Sequence, residues 1–340
     1  MPSDGPTGGA GGMKRLVAAI ITVVLLGVIF ASVDRAALAH NLARTRPGVF
    51  ALALAMFVPQ VWAMAVRWRR LVGVFTPLPM GEAVSLILAS QTMNLVLPSK
   101  AGDLTKALFL KSSGVLDLKR SANIVVFEKM LDVAALALIM LAGVVFLLFH
   151  GASHLETVAG LTAGALGLVA VTAVGVIYFV PPDRLPGLQR LLAALDARPR
   201  CRRLSELVRT GHETIVLLQS RGARRGLIIA YSFLIWALHL AQIYLFFLSL
   251  SPVMTAPTPL AQYLSLVPLA IFIGLLPVSI AGFGTRDAAL IAFFPQHAAP
   301  VMLAVAMYVN LRYIVPAVAG LPFLGRYIAQ RRQVLPPSRD

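Results

Sequence analysis

Cysteine occurs once in the 340 residues, at Cys201, which rules out an internal disulfide framework and leaves the redox compartment unmarked. Acidic side chains are scarce too: 14 Asp and Glu stand against 30 Lys and Arg, for a net charge of +16. Charged residues of both signs make up 13% of the chain, where soluble domains carry about 25%. Together with 58% hydrophobic residues and a mean hydropathy of +0.82, this excludes a soluble globular protein. A basic excess can serve nucleic acid, but here Lys and Arg lie between apolar runs, as in cytoplasmic loops facing anionic lipid, so no nucleic-acid partner is expected. His150 and His154 have a ligand-compatible spacing, yet an isolated HxxxH in a polar loop is weak evidence for a metal. No metal and no cofactor are expected.

What the chain has is length of apolar sequence. Runs at about 16–33, 48–66, 121–148, 158–180, 226–250 and 299–322 are each long enough to cross a hydrocarbon core of roughly 30 Å. They predict an all-α polytopic membrane protein with about six transmembrane helices. Residues 1–12 are rich in Gly and Pro and read as a disordered tail. The first run follows basic residues as a signal peptide would, but its length and the poor cleavage site "IFASVD" favour an uncleaved span. A first membrane half, 13–180, is then separated from a second, 226–325, by a basic loop, 181–225. In that loop "LQRLLAALD" and "LSELVRTGHETIVLL" have the apolar spacing of amphipathic surface helices. A tail, 326–340, closes the chain.

Lys and Arg distribution sets the orientation, since basic residues resist translocation. If the runs alternate, Lys14 and Arg15, Arg67, Arg69 and Arg70, the stretch 100–120, the arginines of 184–225, and Arg326, Arg331 and Arg332 share one side. The opposite connections, 34–46, 150–156 and 251–259, hold few basic residues. Both termini are therefore expected in the cytoplasm, in a multi-pass protein of the inner membrane. Arg67, Trp68, Arg69 and Arg70 read as an interfacial belt.

Two further apolar segments, 81–111 and 260–295, are too polar in their middles to be ordinary spans. They resemble each other: "LPSKAGDLTKALF" and "LPVSIAGFGTRDAALI" share Leu-Pro, a Ser, Ala-Gly, then Thr and a basic residue. The spans preceding them run in opposite directions, so the repeat is inverted. Each segment is predicted to be a re-entrant helical hairpin, the first entering from the cytoplasm and the second from outside. Broken helices in inverted repeats build the central site of many secondary transporters, because irregular backbone survives at membrane depth only inside protein or beside water.

The candidate headgroup-binding residues follow from these elements. The first hairpin supplies Asn94, Ser99, Lys100, Asp103 and Lys106, and the second Ser279, Arg286 and Asp287. In the span after the first hairpin, Glu128 and Asp132 lie roughly 10 and 16 Å from its start at Ser121 and share a face, with Lys129 in reach of Asp132. The last span adds Asn310, Arg312 and Tyr313. A guanidinium at that depth costs about 3 kcal/mol on insertion scales, so Arg312 is expected to be balanced by Glu128 or Asp132. Breaks at Gly102 and Gly284 would add backbone N–H donors for an anion. The bland alternatives are a self-neutralising cluster that glues spans together, snorkelling of Lys100 and Lys106 to the surface, and simple packing for His239. Guanidinium and ammonium groups that open to a ligand suit a phosphate.

"NLVLPSKAGDLTKALFL", "VVFEKMLDVAAL" and "PVSIAGFGTRDAAL", in this order, resemble the lysylphosphatidylglycerol synthase transmembrane-region family of flippase-like membrane proteins. That family favours Gly-Arg after Leu-Pro, a Glu as the following acid, Glu-Arg before Leu-Asp, and Arg-Glu in the last motif. This chain has Ser99-Lys100, Asp103, Glu128-Lys129 with Asp132, and Arg286-Asp287, which keeps charge while changing shape. Some members carry a fused soluble aminoacyl-transferase domain. Here 15 residues follow Gly325, and headgroup aminoacylation by this chain is not expected. The resemblance implies movement of an anionic phospholipid or polyprenyl-phosphate lipid across the membrane. The partners expected are anionic lipid headgroups and a separate lipid or glycan biosynthetic enzyme. A membrane glycosyltransferase, a phosphatase, or a scaffold for such an enzyme are the competing classes. The first two need a general base or metal near a headgroup-accessible loop, where the sequence offers only Asp34 and Glu156.

Overall fold

The computed structural model describes residues 9–97, 102–149, 154–179, 184, 186–197, 216, 223–275 and 278–334, and these contain helices and no strand. Five helical stretches are long and apolar enough to cross a membrane: Pro47–Val72, Leu118–Phe149, Thr157–Val176, Gly226–Ser249 and Ala299–Ala329. A sixth is reached if the bent pair Ala19–Ser32 and Arg35–Ala43, which meet at 89°, counts as one span. The chain is an all-α polytopic membrane protein.

The first helix, α1 (Gly9–Ser32), begins within the stretch read as a tail, so residues 9–12 are helical. The connection expected after it is largely a second helix, α2 (Arg35–Ala43). Asp34 makes that helix possible: its carboxylate accepts from the N–H groups of Ala36 at 2.8 Å and Ala37 at 3.2 Å, satisfying donors that a helix start leaves open. The second span is α3 (Pro47–Ala55) followed almost without interruption by α4 (Phe57–Val72).

Both polar-centred segments are pairs of helices flanking a break. The first pair is α5 (Met80–Val96) and α6 (Thr105–Ser112), and it leads into the long α7 (Leu118–Phe149). After α8 (His154–Phe179) and the amphipathic α9 (Pro186–Asp196), the second half starts with α10 (Ala223–Ser249). The second pair is α11 (Leu260–Leu275) and α12 (Thr285–Phe293), followed by α13 (Ala299–Val334). "LSELVRTGHETIVLL" and Cys201 lie outside the described residues, as do Ser99, Lys100 and His150.

The two helix pairs pack across the chain. The leading helix of the first pair, α5, packs most extensively on α13, and that of the second pair, α11, packs on α7. Glycine makes both approaches possible. A Cβ on Gly320 of α13 would overlap the Leu88 carbonyl and the Thr92 hydroxyl of α5, and one on Gly143 of α7 would overlap the Leu264–Ser265 backbone of α11. Helix α4 lies against α10, where the amide of Gln60 donates to Gln242 Oε1 at 3.0 Å and that of Gln242 to the Ala53 carbonyl at 2.8 Å. A cap on one end ties α5, α6 and α13 together: the Tyr327 hydroxyl donates to Glu82 Oε1, and Phe109 stacks on the Tyr327 ring at 4.5 Å. These contacts bring the breaks of both hairpins towards α4, α7 and α13, where the charged residues gather.

Candidate functional site

Charge at the first break is organised as a closed ring. Lys129 meets Asp103 at 2.6 Å, Asp103 meets Lys106 at 3.4 Å, and Lys106 meets Glu128. Glu128 then meets Arg67 at 2.9 Å, Arg67 meets Asp132 at 2.5 Å, and Asp132 returns to Lys129 at 3.3 Å. Cations and carboxylates alternate around it, so each carboxylate touches two cations. Such saturation is what burial demands, since an ion taken from water without a partner costs several kcal/mol. Lys106 also lies over the Trp68 ring at 4.5 Å, and Arg67 donates a third bond to Ser232 Oγ at 3.0 Å.

Three helices and one hairpin break hold the ring, and the local sequence explains each position. Glu128 and Asp132 share a face of α7 by their four-residue spacing. Lys106 follows a tight turn in which the Thr105 hydroxyl donates to the Gly102 carbonyl. A Cβ on Gly102 would overlap the backbone at Met93 and Asn94, so the turn can press against the end of α5 only with glycine there. The Lys106 side chain is fully buried, which rules out snorkelling to the surface. Arg67 and Trp68 are fully buried as well and are not an interfacial belt. The signal that marks Arg67 is its register: with Gln60, Ala63, Met64 and Leu71 it falls on the buried stripe of α4.

The second break repeats the turn with different charges. The Thr285 hydroxyl donates to the Gly282 carbonyl at 3.3 Å and contacts the Ser279 hydroxyl at 2.8 Å. Gly284, at φ 82°, is the N-cap of α12, and its N–H is taken by Asp287 Oδ2 at 3.0 Å. That donor is therefore already used and is not open to an anion, contrary to the expectation from sequence. Arg286, buried like Lys106, donates to Asn310 Oδ1, and Asn310 Nδ2 donates in turn to Asp287 Oδ2 at 3.0 Å. An amide thus faces this cation where Lys106 at the first break meets Glu128 of α7. Asp287 is 3.6 Å from Arg286, the only carboxylate near it among the described residues.

Arg312 differs most from expectation. Neither Glu128 nor Asp132 balances it, because both are engaged by Arg67, Lys106 and Lys129. Its side chain is 5% exposed and pairs with no carboxylate among the described residues. Nη2 donates to the Tyr313 hydroxyl, the guanidinium lies 4.6 Å from the Tyr313 ring centre, and Nη1 is buried without a hydrogen-bond partner. Arg286 lies over the same ring at 4.7 Å.

Arg312 and the ring open onto one cavity. Its walls include Arg67, Asp103, Lys129 and Asp132 from the ring, Arg312 and Tyr313 from α13, and the amides Gln60, Gln91 and Asn94. His239 also lines it, with its ring edge-on to Trp236 at 5.6 Å. The volume, about 60 Å³, is the room of a few water molecules. Asn94 Oδ1 is buried in this wall without a hydrogen-bond donor. Lys106, Glu128, Ser279, Arg286, Asp287 and Asn310 stand behind the walls rather than in them.

A sequence profile described as Lysylphosphatidylglycerol synthase TM region matches residues 15–320. The chain belongs to that family. No curated protein matches it. Membership in the lysylphosphatidylglycerol synthase transmembrane-region family, together with the apolar helices, makes the chain an integral membrane protein of lipid metabolism or transport.

Proposed function

We propose that this protein carries an anionic lipid headgroup across the cytoplasmic membrane, with the Arg312 cavity as the headgroup site. One observation carries the proposal: a buried guanidinium with an unsatisfied N–H faces a cavity and has no carboxylate among the described residues. An uncompensated cation inside a membrane protein is expensive, and a phosphate oxygen entering the cavity supplies the missing charge through a charge-assisted hydrogen bond. The Tyr313 hydroxyl and the Asn94 amide offer further hydrogen bonds to the same headgroup.

The cavity, at about 60 Å³, is smaller than a lipid headgroup, so in this proposal its walls widen as a headgroup enters. The two hairpins are read as inverted re-entrant elements, one reached from each side, and both termini as cytoplasmic. The exchanged packing of α5 on α13 and α11 on α7 supports it, because each arm belongs to one repeat and rests on the other. Headgroups then pass the breaks while acyl chains stay in lipid.

Reconstitution tests the proposal. Vesicles of phosphatidylcholine containing an acyl-labelled trace of phosphatidylglycerol are loaded with purified protein, and accessibility of the label is followed with an impermeant quencher. The protein is expected to move inner-leaflet label outward faster than protein-free vesicles do. Unchanged exchange, with turnover of a lipid-linked sugar by the same preparation, contradicts transport and supports an enzyme.

A further inference from the structure

The charges around the cavity fix how much negative charge it accepts. Among the described residues, Arg67, Lys129 and Arg312 face it as cations and Asp103 and Asp132 as carboxylates, an excess of one positive charge. Lys106 and Glu128, behind the wall, neutralise each other. The ring is complete without a ligand, and among the described residues the uncompensated charge belongs to Arg312. A ligand with one negative charge therefore satisfies Arg312 and leaves the ring intact. A ligand with two needs a second cation. The one positioned to move is Lys129, whose side chain is 36% exposed while those of Arg67 and Lys106 are at 0%. Drawing Lys129 away would leave Asp103 with Lys106 and Asp132 with Arg67 as their ring contacts, and the remaining ring with a net negative charge among largely buried side chains.

We infer that the cavity selects a phosphodiester lipid with a single negative charge and discriminates against a phosphomonoester, which carries up to two. The inference rests on the headgroup reading of the Arg312 cavity and adds to it the charge class of the substrate. Within the chemistry of anionic lipids it favours a phosphate esterified on both sides, with an uncharged headgroup, over a terminal phosphate. Asn94 Oδ1, buried in the wall without a donor, suits a hydroxyl of such a headgroup.

The test compares two acyl-labelled lipids in the same phosphatidylcholine vesicles at about pH 8: phosphatidylglycerol, with one charge, and phosphatidic acid, with more than one. Phosphatidylglycerol is expected to exchange about tenfold faster. Two variants then change the cavity's charge. Asp132→Asn removes a ring carboxylate. Gln91→Lys adds a cation without touching the ring, since the Gln91 amide makes only a weak 3.9 Å contact with Met64 Sδ. Each is expected to raise the phosphatidic acid to phosphatidylglycerol ratio by about tenfold, and Gln91→Lys keeps the test valid if Asp132→Asn misfolds. Equal rates for the two lipids in the wild-type protein, or a ratio that Gln91→Lys leaves unmoved, overturns the charge selection while transport stands. If neither lipid moves faster than in protein-free vesicles, the headgroup reading itself fails, and the selection with it.

Discussion

The two hairpin breaks are built alike and charged differently. Each makes a turn at a Gly whose carbonyl accepts from a Thr hydroxyl three residues on, and each then buries a cation one residue later, Lys106 or Arg286. Lys106 meets a carboxylate and joins a ring in which every charge is matched. Arg286 meets the amide of Asn310, and the neighbouring Arg312 is matched by no carboxylate among the described residues. A full ring is a clamp between helices. A deficit of negative charge is a place for a ligand. In the proposed function the same turn serves structure at the first break and binding at the second.

Breaking the clamp should have the largest effect. Glu128→Gln removes the carboxylate shared by Arg67 and Lys106 and leaves two buried cations undercompensated. A loss of about 3–5 kcal/mol is expected, visible as a large fall in the detergent unfolding midpoint. The exchanged packing comes next: alanine at Gly320 or Gly143 pushes a methyl into the α5 or α11 backbone. Overpacking of this kind costs about 1–3 kcal/mol, and the two variants should be similar if the hairpins are held equivalently. A stable Gly320→Ala beside a destabilised Gly143→Ala would show that only one hairpin depends on close approach.

Asn310→Asp sharpens the comparison by giving the second break the carboxylate of the first. It replaces the bond from Asn310 Nδ2 to Asp287 with a second carboxylate beside Arg286, and it should slow lipid exchange by about tenfold or more, because the added anion weakens the positive potential that Arg312 offers the headgroup. The smallest expected effect lies outside the spans. Burial holds the His297 imidazole, whose Nε2 is 2.9 Å from the Thr258 hydroxyl, below its ordinary pKa of 6.5. The neutral ring is favoured in the folded state, so its contribution to stability is complete above 6.5 and is lost as pH falls from there towards the lowered value. Unfolding midpoints from about pH 8 to pH 5 should slope more steeply for the wild type than for His297→Gln.

Much of the fold was legible because apolar length and broken segments are local properties. The stretches 48–66 and 121–148 fall inside Pro47–Val72 and Leu118–Phe149, and 226–250 overruns Ala223–Ser249 by one residue. The two polar-centred segments are helix pairs because Gly102, Gly282 and Gly284 mark turns that helices do not make. Within α7, spacing alone placed Lys129 beside Asp132. Pairings between elements were not legible. Arg67 sits in a cluster of arginines that resembles an interfacial belt, and only its register against Gln60 and Met64 turns it inward. The match of Arg312 with Glu128 or Asp132 failed for the same reason: depth limits which charges can meet, but the nearer cations had already taken both carboxylates. Asp34 shows the converse, a local cap strong enough to turn an apparent loop into α2.

The central claim is that Arg312 is present for the headgroup rather than for the fold, and Arg312→Gln tests it most directly. Rates of phosphatidylglycerol exchange and unfolding midpoints are measured on the same preparations of wild type and variant. Removing a cation that no carboxylate balances among the described residues should leave the midpoint unchanged or slightly raised, while exchange falls to the rate of protein-free vesicles. Exchange at the wild-type rate, or a fall in the midpoint as large as that of Glu128→Gln, would make Arg312 a structural residue and contradict the account.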